Sequence, residues 1–276
     1  MQITRRGFGA TLGALAVVGV AAHGQAGPTR LRRFGVQAGI VREALAADFD
    51  GSLARLAALG ITTIELQWYG GNFGRSPQQI RRACDAAGIR VTSALVRAGA
   101  VLVGWPRHLE ALHVLGASHL VVVNLTEDEA QSIDDWREWA DRFSTAGAAA
   151  RKADLWLGLH NEPHFVTPLE GRIPYDEFIA RSNPETVALS MDAANMIRGG
   201  GDPIAYLRRH PARYRSGHLK DLTPAGIVGG RFGEGRLPLQ AVLDAMPTQA
   251  RNDLFLEHPL GADPFGELAR IARLVA

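Results

Sequence analysis

Residues 214–221 read Tyr-Arg-Ser-Gly-His-Leu-Lys-Asp, a short strand that ends in ionisable side chains, with the next helix signal only from about Leu237. Alternation along a strand sends His218 and Lys220 to one face. Three other strand-like runs end the same way: 155–159 leads into His160-Asn161-Glu162, 187–191 into Asp192 and 253–256 into Glu257. A lone histidine or carboxylate at a strand end is most often a loop residue or a helix cap. Two His and two carboxylates at four strand ends instead make a mixed nitrogen and oxygen donor set suited to a divalent cation. An ion chelated by a hydroxyl and an adjacent carbonyl acts as a Lewis acid and stabilises an enediolate. A carboxylate beside it can then take the proton α to the carbonyl. Lys220 has two readings, a positive charge for the developing oxyanion or a buried salt bridge with Asp221 or Glu234.

These residues are far apart in the chain, so the elements around them must bring them together. Strands are expected at 33–37, 61–66, 89–96, 119–123, 155–160, 187–192, 214–220 and 253–257, from apolar and β-branched runs. Helices are expected at 49–59, 77–87, 107–115, 133–153, 175–180, 203–210, 237–245 and 264–275. Pro77 in a first turn, Gly60, Gly88 and Gly116 after last turns, and Asp134 and Asp135 in a first turn mark their ends. Strict alternation of strand and helix predicts a parallel sheet with crossover helices. Eight such units in about 250 residues predict an α/β fold closed as a (β/α)₈ barrel. The open doubly wound alternative lacks a Gly-x-Gly-x-x-Gly after the first strand. A barrel would gather Glu65, His160, Asp192, His218 and Glu257 at the carboxyl ends of its strands, where such enzymes keep their chemistry.

The chain has 276 residues, 46% hydrophobic and 21% charged, with no tandem repeat or low-complexity tract. Thr4-Arg5-Arg6-Gly7-Phe8 and the uncharged run 9–22 have the form of a twin-arginine export signal, cleaved after Ala22 or Ala26. The expected organisation is therefore a signal over 1–26 and one barrel domain over 27–276, periplasmic or otherwise exported by the twin-arginine route. The apolar run is too short, and too rich in Gly and Ala, for a spanning helix. Formal net charge is +2, and 1–26 holds Arg5 and Arg6 with no Asp or Glu, so the remaining chain is near neutral. Nothing in that balance points to nucleic acid or to a membrane surface. The single Cys84 cannot form an internal disulfide and reads as a buried packing residue.

Gly158-Leu159-His160-Asn161, Met191-Asp192, Gly217-His218-Leu219-Lys220-Asp221, Gly233-Glu234-Gly235-Arg236 and Leu256-Glu257 together resemble the sugar phosphate isomerase/epimerase family of xylose isomerase-like barrels. The resemblance covers essentially all of the chain after the signal. It implies one divalent ion, most often manganese, held by His160, Asp192, His218 and Glu257; zinc, cobalt and iron suit the same donors. It also implies a small sugar or keto-sugar as substrate. Many members have Glu where this chain has His160, in a Glu-Asn-His order, whereas this chain reads His160-Asn161-Glu162. In isomerases of the family that Glu and the last-strand Glu move a proton on either face of the substrate. Here Glu257 keeps its place, and Glu162, His164 and Glu65 are candidates for its partner.

The implied activity is isomerisation or epimerisation by proton abstraction. The alternatives are a lyase on 3-keto-glycosides and a non-catalytic sugar-binding barrel. Endonucleases acting on abasic DNA share the barrel, but they need several zinc ions and a basic face that this chain lacks. Trp68, Tyr69, Trp105 and Phe232 are candidate sugar-stacking faces or core residues. Glu234 and Arg236 either close over the site or pair with each other. His23, His108, His113, His119, His210 and His258 read as structural or exposed.

Overall fold

The computed structural model describes residues 34–68 and 71–275. The expected export signal and Tyr69 lie outside the described residues. Eight parallel strands follow one another around a closed barrel. They are β1 (Gly35–Gln37), β2 (Thr63–Gln67), β3 (Arg90–Val96), β4 (His119–Val122), β5 (Trp156–His160), β6 (Val187–Asp192), β7 (Tyr214–Leu219) and β8 (Leu254–Leu256). The outer layer comprises α1 (Arg42–Ala47), α2 (Phe49–Ala58), α3 (Pro77–Ala87), α4 (Trp105–Leu115) and α5 (Ile133–Lys152). It continues with α6 (Pro174–Arg181), α7 (Ala193–Arg198), α8 (Pro203–Arg209), α9 (Leu239–Ala245) and α10 (Pro264–Val275).

All eight expected strands and all eight expected helices are present, with ends moved by a few residues. α1 and α7 were not anticipated. Both are only six residues long, too short for an amphipathic repeat to show. α7 starts on Asp192, whose side chain accepts the Asn195 N–H and so caps the helix. Elsewhere the local signals act as expected. Ser76 forms a capping box with Gln79 before Pro77, and Gly88 ends α3 in the left-handed region at φ 70°.

The strands are buried on both faces, as Leu120, Val121 and Val122 show, because helices cover the outside of the ring. Between strands and helices, Trp136 packs edge-on to Phe165 at 4.6 Å and Phe143 to Phe178 at 5.1 Å. Cys84 belongs to this layer. Burial, with Asp85 adding to it, pushes its thiol up to about 12. Among the described residues no helix is long and apolar enough to cross a membrane.

Two irregularities in register decide which side chains enter the barrel. Leu189 pairs with Tyr214, but Ser190 pairs with Ser216, so Arg215 is an extra residue in β7 and Asp192 comes opposite His218. In an unbroken register Asp192 would face Gly217, and His218 would point to the other side of the sheet. Likewise Ile64 pairs with Val91 but Glu65 with Ser93, which skips Thr92. Both shifts turn polar side chains inward.

Gly147, in the middle of α5, lies against the strand layer. A Cβ there would press into the backbone carbonyl of Thr186. Gly→Ala inside a helix normally stabilises by about 0.5–1 kcal/mol. Here the sign reverses, and Gly147→Ala is expected to cost about 1–3 kcal/mol from overpacking. Urea denaturation measures it, and an unchanged or raised midpoint would show that the helix can move away.

Candidate metal centre

His160, at the end of β5, has its ring orientation set from outside the cluster. Its Nδ1 lies 3.0 Å from the Val123 carbonyl and its Nε2 lies 3.3 Å from Asp192 Oδ2, inside the cluster. Asp192 uses Oδ1 to cap α7, 2.8 Å from the Asn195 N–H, so only Oδ2 faces inward. Asn161 joins the two strand ends: its Nδ2 donates to the Asp192 carbonyl at 2.9 Å and its Oδ1 accepts the Asp192 N–H at 2.8 Å. His218, on β7, donates Nε2–H to Glu65 Oε2 at 2.6 Å. Glu65 is held in turn by the Ser93 hydroxyl, which donates to Oε1 at 2.7 Å. The two imidazoles stand 4.7 Å apart, centroid to centroid. One donor atom each from His160, Asp192, His218 and Glu257 lies within 4.8 Å of the others.

Lys220 completes the group. Its ammonium is 2.8 Å from Asp192 Oδ2 and 2.9 Å from Glu257 Oε2. Burial works against every charge here, and the partners outweigh it. For Asp192, burial would raise the carboxyl, but Lys220 and the His160 and His218 rings hold it far below the usual range. Glu257 is brought to about 2 against burial by His218 and Lys220. Lys220 stays charged because Asp192 and Glu257 raise it well above its ordinary value despite burial. His218 is lifted to about 10, burial being overcome by Glu65 and Glu257.

A divalent cation fits these residues. His218 Nδ1 and Glu257 Oε2 are 2.6 Å apart, yet neither atom makes an aligned hydrogen bond. Two candidate donor atoms thus meet in a buried place with no aligned hydrogen bond between them, Lys220 being the ion partner of Glu257 Oε2, and so close a pair is costly unless a proton or a cation lies between its atoms. Each imidazole has an acceptor for a proton on its outward nitrogen, the Val123 carbonyl for His160 and Glu65 for His218, as the histidines of metal sites do. Two carboxylates, Asp192 and Glu257, share one ammonium, and a third, Glu65, is paired with His218, a negative balance that a divalent charge offsets.

Several residues stand elsewhere than expected. Glu65, expected at the substrate, is fully buried behind His218 and cannot face a ligand. Lys220 pairs with Asp192 and Glu257, whereas Asp221 binds the N–H groups of Leu222, Gly233, Gly235 and Leu237 and so shapes the loop 221–237. Glu234 pairs with Arg231 at 2.7 Å on the surface, and Arg236 donates to the Pro224 carbonyl at 3.3 Å. The Gly-Glu-Gly-Arg element therefore builds a loop, and its two charged residues do not pair with each other.

His258 is buried in the same loop system, accepting the Asp221 N–H and donating to Gly230. Trp105 donates its ring N–H to the Ala146 carbonyl in the core, and Phe232 packs on His258. Neither is a sugar platform. Glu162 lies at the mouth, its side chain 25% exposed, with Oε2 accepting from Asn195 and Oε1 3.8 Å from His160 Nδ1. His164 donates Nε2–H to the Leu125 carbonyl and lines a cleft of about 430 Å³ with Trp136 and Thr167. Asn161, Ser93 and Asn195 escaped the sequence reading. Only Asn161, next to His160, carried a local signal.

The chain belongs to the xylose isomerase-like TIM barrel family, whose model matches residues 53–271. Inosose dehydratase 2 of Bacillus cereus is 20% identical over 198 residues, a stretch that spans 63% of this chain and 63% of that relative. A sugar phosphate isomerase/epimerase from Parabacteroides distasonis superposes with a TM-score of 0.74 at 20% identity, over 94% of this chain and 97% of the other. The IOLI protein, solved with a zinc atom, superposes with a TM-score of 0.69 at 15% identity, over 88% and 96%. At such identities the structural likeness is one of fold.

The proton on His218 gives a test of the cluster. In the metal-free protein that group titrates at about 10, so at neutral pH an incoming ion has to displace a proton. Manganese affinity is therefore expected to rise with pH, by up to about tenfold per unit, with release of about one proton. Calorimetry in two buffers of different protonation enthalpy reads both. Glu65→Gln removes a carboxylate that holds the proton and is expected to flatten the dependence. An affinity constant between about pH 6 and pH 9 would contradict the assignment.

Proposed function

We propose that this family member is a divalent-metal-dependent enzyme that removes a proton α to the carbonyl of a small keto-sugar. The observation that carries the reading is the buried quartet whose donor atoms lie within 4.8 Å of one another beside a charged lysine. His160 Nε2, Asp192 Oδ2, His218 Nδ1 and Glu257 Oε2 would hold the ion. Two carboxylate oxygens with two imidazoles suit manganese, zinc, cobalt or iron, and the family resemblance points to manganese among them. Once bound, such an ion supplies Lewis-acid stabilisation of charge on a substrate oxygen.

The protein's own groups divide the remaining work. Glu257 is clamped by His218 and Lys220, and at about 2 it is a weak base. Glu162 has no lysine partner and its side chain is partly exposed after β5, which makes it the carboxylate we assign to take the α proton. Lys220 stays an ammonium beside Asp192 and Glu257. It can face negative charge on the substrate or give a proton to a departing oxygen.

A second reading is β-elimination. Epimerisation needs a base and a proton donor on opposite faces of one carbon, whereas elimination needs a base at the α carbon and an acid at the β oxygen. The α proton passes to Glu162, the β carbon–oxygen bond breaks with its electron pair, and the leaving oxygen takes a proton from Lys220. The likeness to an inosose dehydratase supports this direction. A 3-keto-glycoside would lose its aglycone in the same way.

Incubating metal-loaded protein in heavy water with keto-sugars and 3-keto-glycosides tests both readings. Isomerisation leaves deuterium at the α carbon, and elimination releases the aglycone. Glu162→Gln is expected to slow either by about 10²–10⁴-fold while metal content is kept. Full activity in that variant would remove Glu162 from the mechanism, and no turnover by the loaded wild type would overturn the proposal.

A further inference from the structure

A second concavity, of about 390 Å³, lies on the β2 and β3 side of the barrel mouth. Trp68, Val96, Arg97, Ala100, Val103 and His108 line it. Trp68 directly follows β2, three positions after the Glu65 that supports His218, and Val96 ends β3. The concavity therefore opens at the same face of the barrel as the metal centre. Its size is that of a small-molecule site.

The indole of Trp68 is fixed in place. Its ring N–H donates to His108 Nδ1 at 3.2 Å. Burial and the neighbouring Arg107 hold His108 below its usual value, so the ring stays an acceptor. A locked aromatic face is a stacking surface that loses little entropy when it is used. On its wall Val103 is 77% exposed, one of the few large hydrophobic side chains that the described residues leave in water, whereas Leu102 lines a separate groove with Trp105 and Glu138. An exposed aliphatic side chain beside a fixed indole gives the concavity an apolar wall.

We propose that this concavity receives a planar apolar group of the substrate, the aromatic aglycone of a keto-glycoside, while the sugar ring lies at the metal centre. The sugar end rests on the proton-abstraction reading; the aglycone end stands on the concavity itself. Its walls argue for an aromatic ring over a phosphate. One guanidinium among Val96, Ala100, Val103 and an indole can stack on an aromatic face, whereas a phosphate calls for several converging donors. The neighbouring cleft beside His164 differs in kind, with Glu127, Asp128, Gln131 and Thr167 on its walls. That acidic lining repels phosphate and suits hydroxyl groups. Two clefts of unlike character at one mouth suit a substrate with a polar and an apolar half.

Binding of phenyl β-glucoside and methyl β-glucoside, neither of them oxidised or reactive, separates this inference from catalysis. Calorimetry on the metal-loaded protein is expected to show the phenyl compound bound about tenfold more tightly, the worth of one aromatic contact. Trp68→Ala and Val103→Asp are each expected to remove that advantage, the second at an exposed position that leaves the fold intact. Equal binding of the two compounds by the wild type, or an advantage that survives both cleft variants, overturns the assignment. Displacement of the phenyl compound by inorganic phosphate also overturns it, in favour of an anion site. If the advantage holds while no keto-sugar is turned over, the cleft assignment stands and the proton-abstraction reading fails.

Discussion

The hydrogen bond from His218 to Glu65 is the constraint on which the rest of the site depends. It fixes the orientation of a buried imidazole, with Nε2 toward Glu65, and so sets Nδ1 facing Glu257. Ser93 holds Glu65 from the far side, so the whole support lies inside the barrel, out of water. Like charges buried together are unfavourable unless something compensates them. Lys220 compensates Asp192 and Glu257 in part, and the remaining negative charge is what makes the place receptive to a cation. The structure therefore concentrates electrostatic stress at one point.

The barrel makes that concentration possible through small departures from regularity. A strand carries side chains to alternate faces, and a displacement of one residue exchanges them. The extra residue in β7 sets His218 opposite Asp192, and the skipped residue in β3 sets Ser93 opposite Glu65. Each shift places one polar contact that a regular ladder would separate. Asp192 adds economy, since one oxygen caps α7 while the other faces the cluster. The rigid backbone of the helix end thus orients a candidate ligand. Around this rigid centre the mouth is built from loops, and there Glu162, His164 and Trp68 differ in exposure and chemistry.

The fold was legible because its signals are local. Alternating apolar runs, helix caps and glycine stops recur often enough to count eight units, and eight units imply closure. The meeting of His160, Asp192, His218 and Glu257 follows from that closure, since strand ends converge in a barrel. What a single residue does there depends on register, and register was invisible. Glu65 looked like a substrate contact because it ends a strand, yet the bulge in β3 makes it a support for His218. Asp221 and Glu234 looked like partners for Lys220 because they are near in sequence or share a motif. The actual partners come from β6 and the end of β8. Trp105 and Phe232 illustrate the same limit, since an aromatic residue near a strand end can turn inward as easily as outward.

The central claim is that the four donors bind one divalent ion together. Metal content of protein loaded with manganese and freed of excess tests it directly, with wild type compared against His218→Ala and Glu257→Ala. The account predicts about one equivalent in the wild type and little in either variant, because each removes a donor from a four-donor site. Retention of a full equivalent in both variants, or none in the wild type, would contradict it.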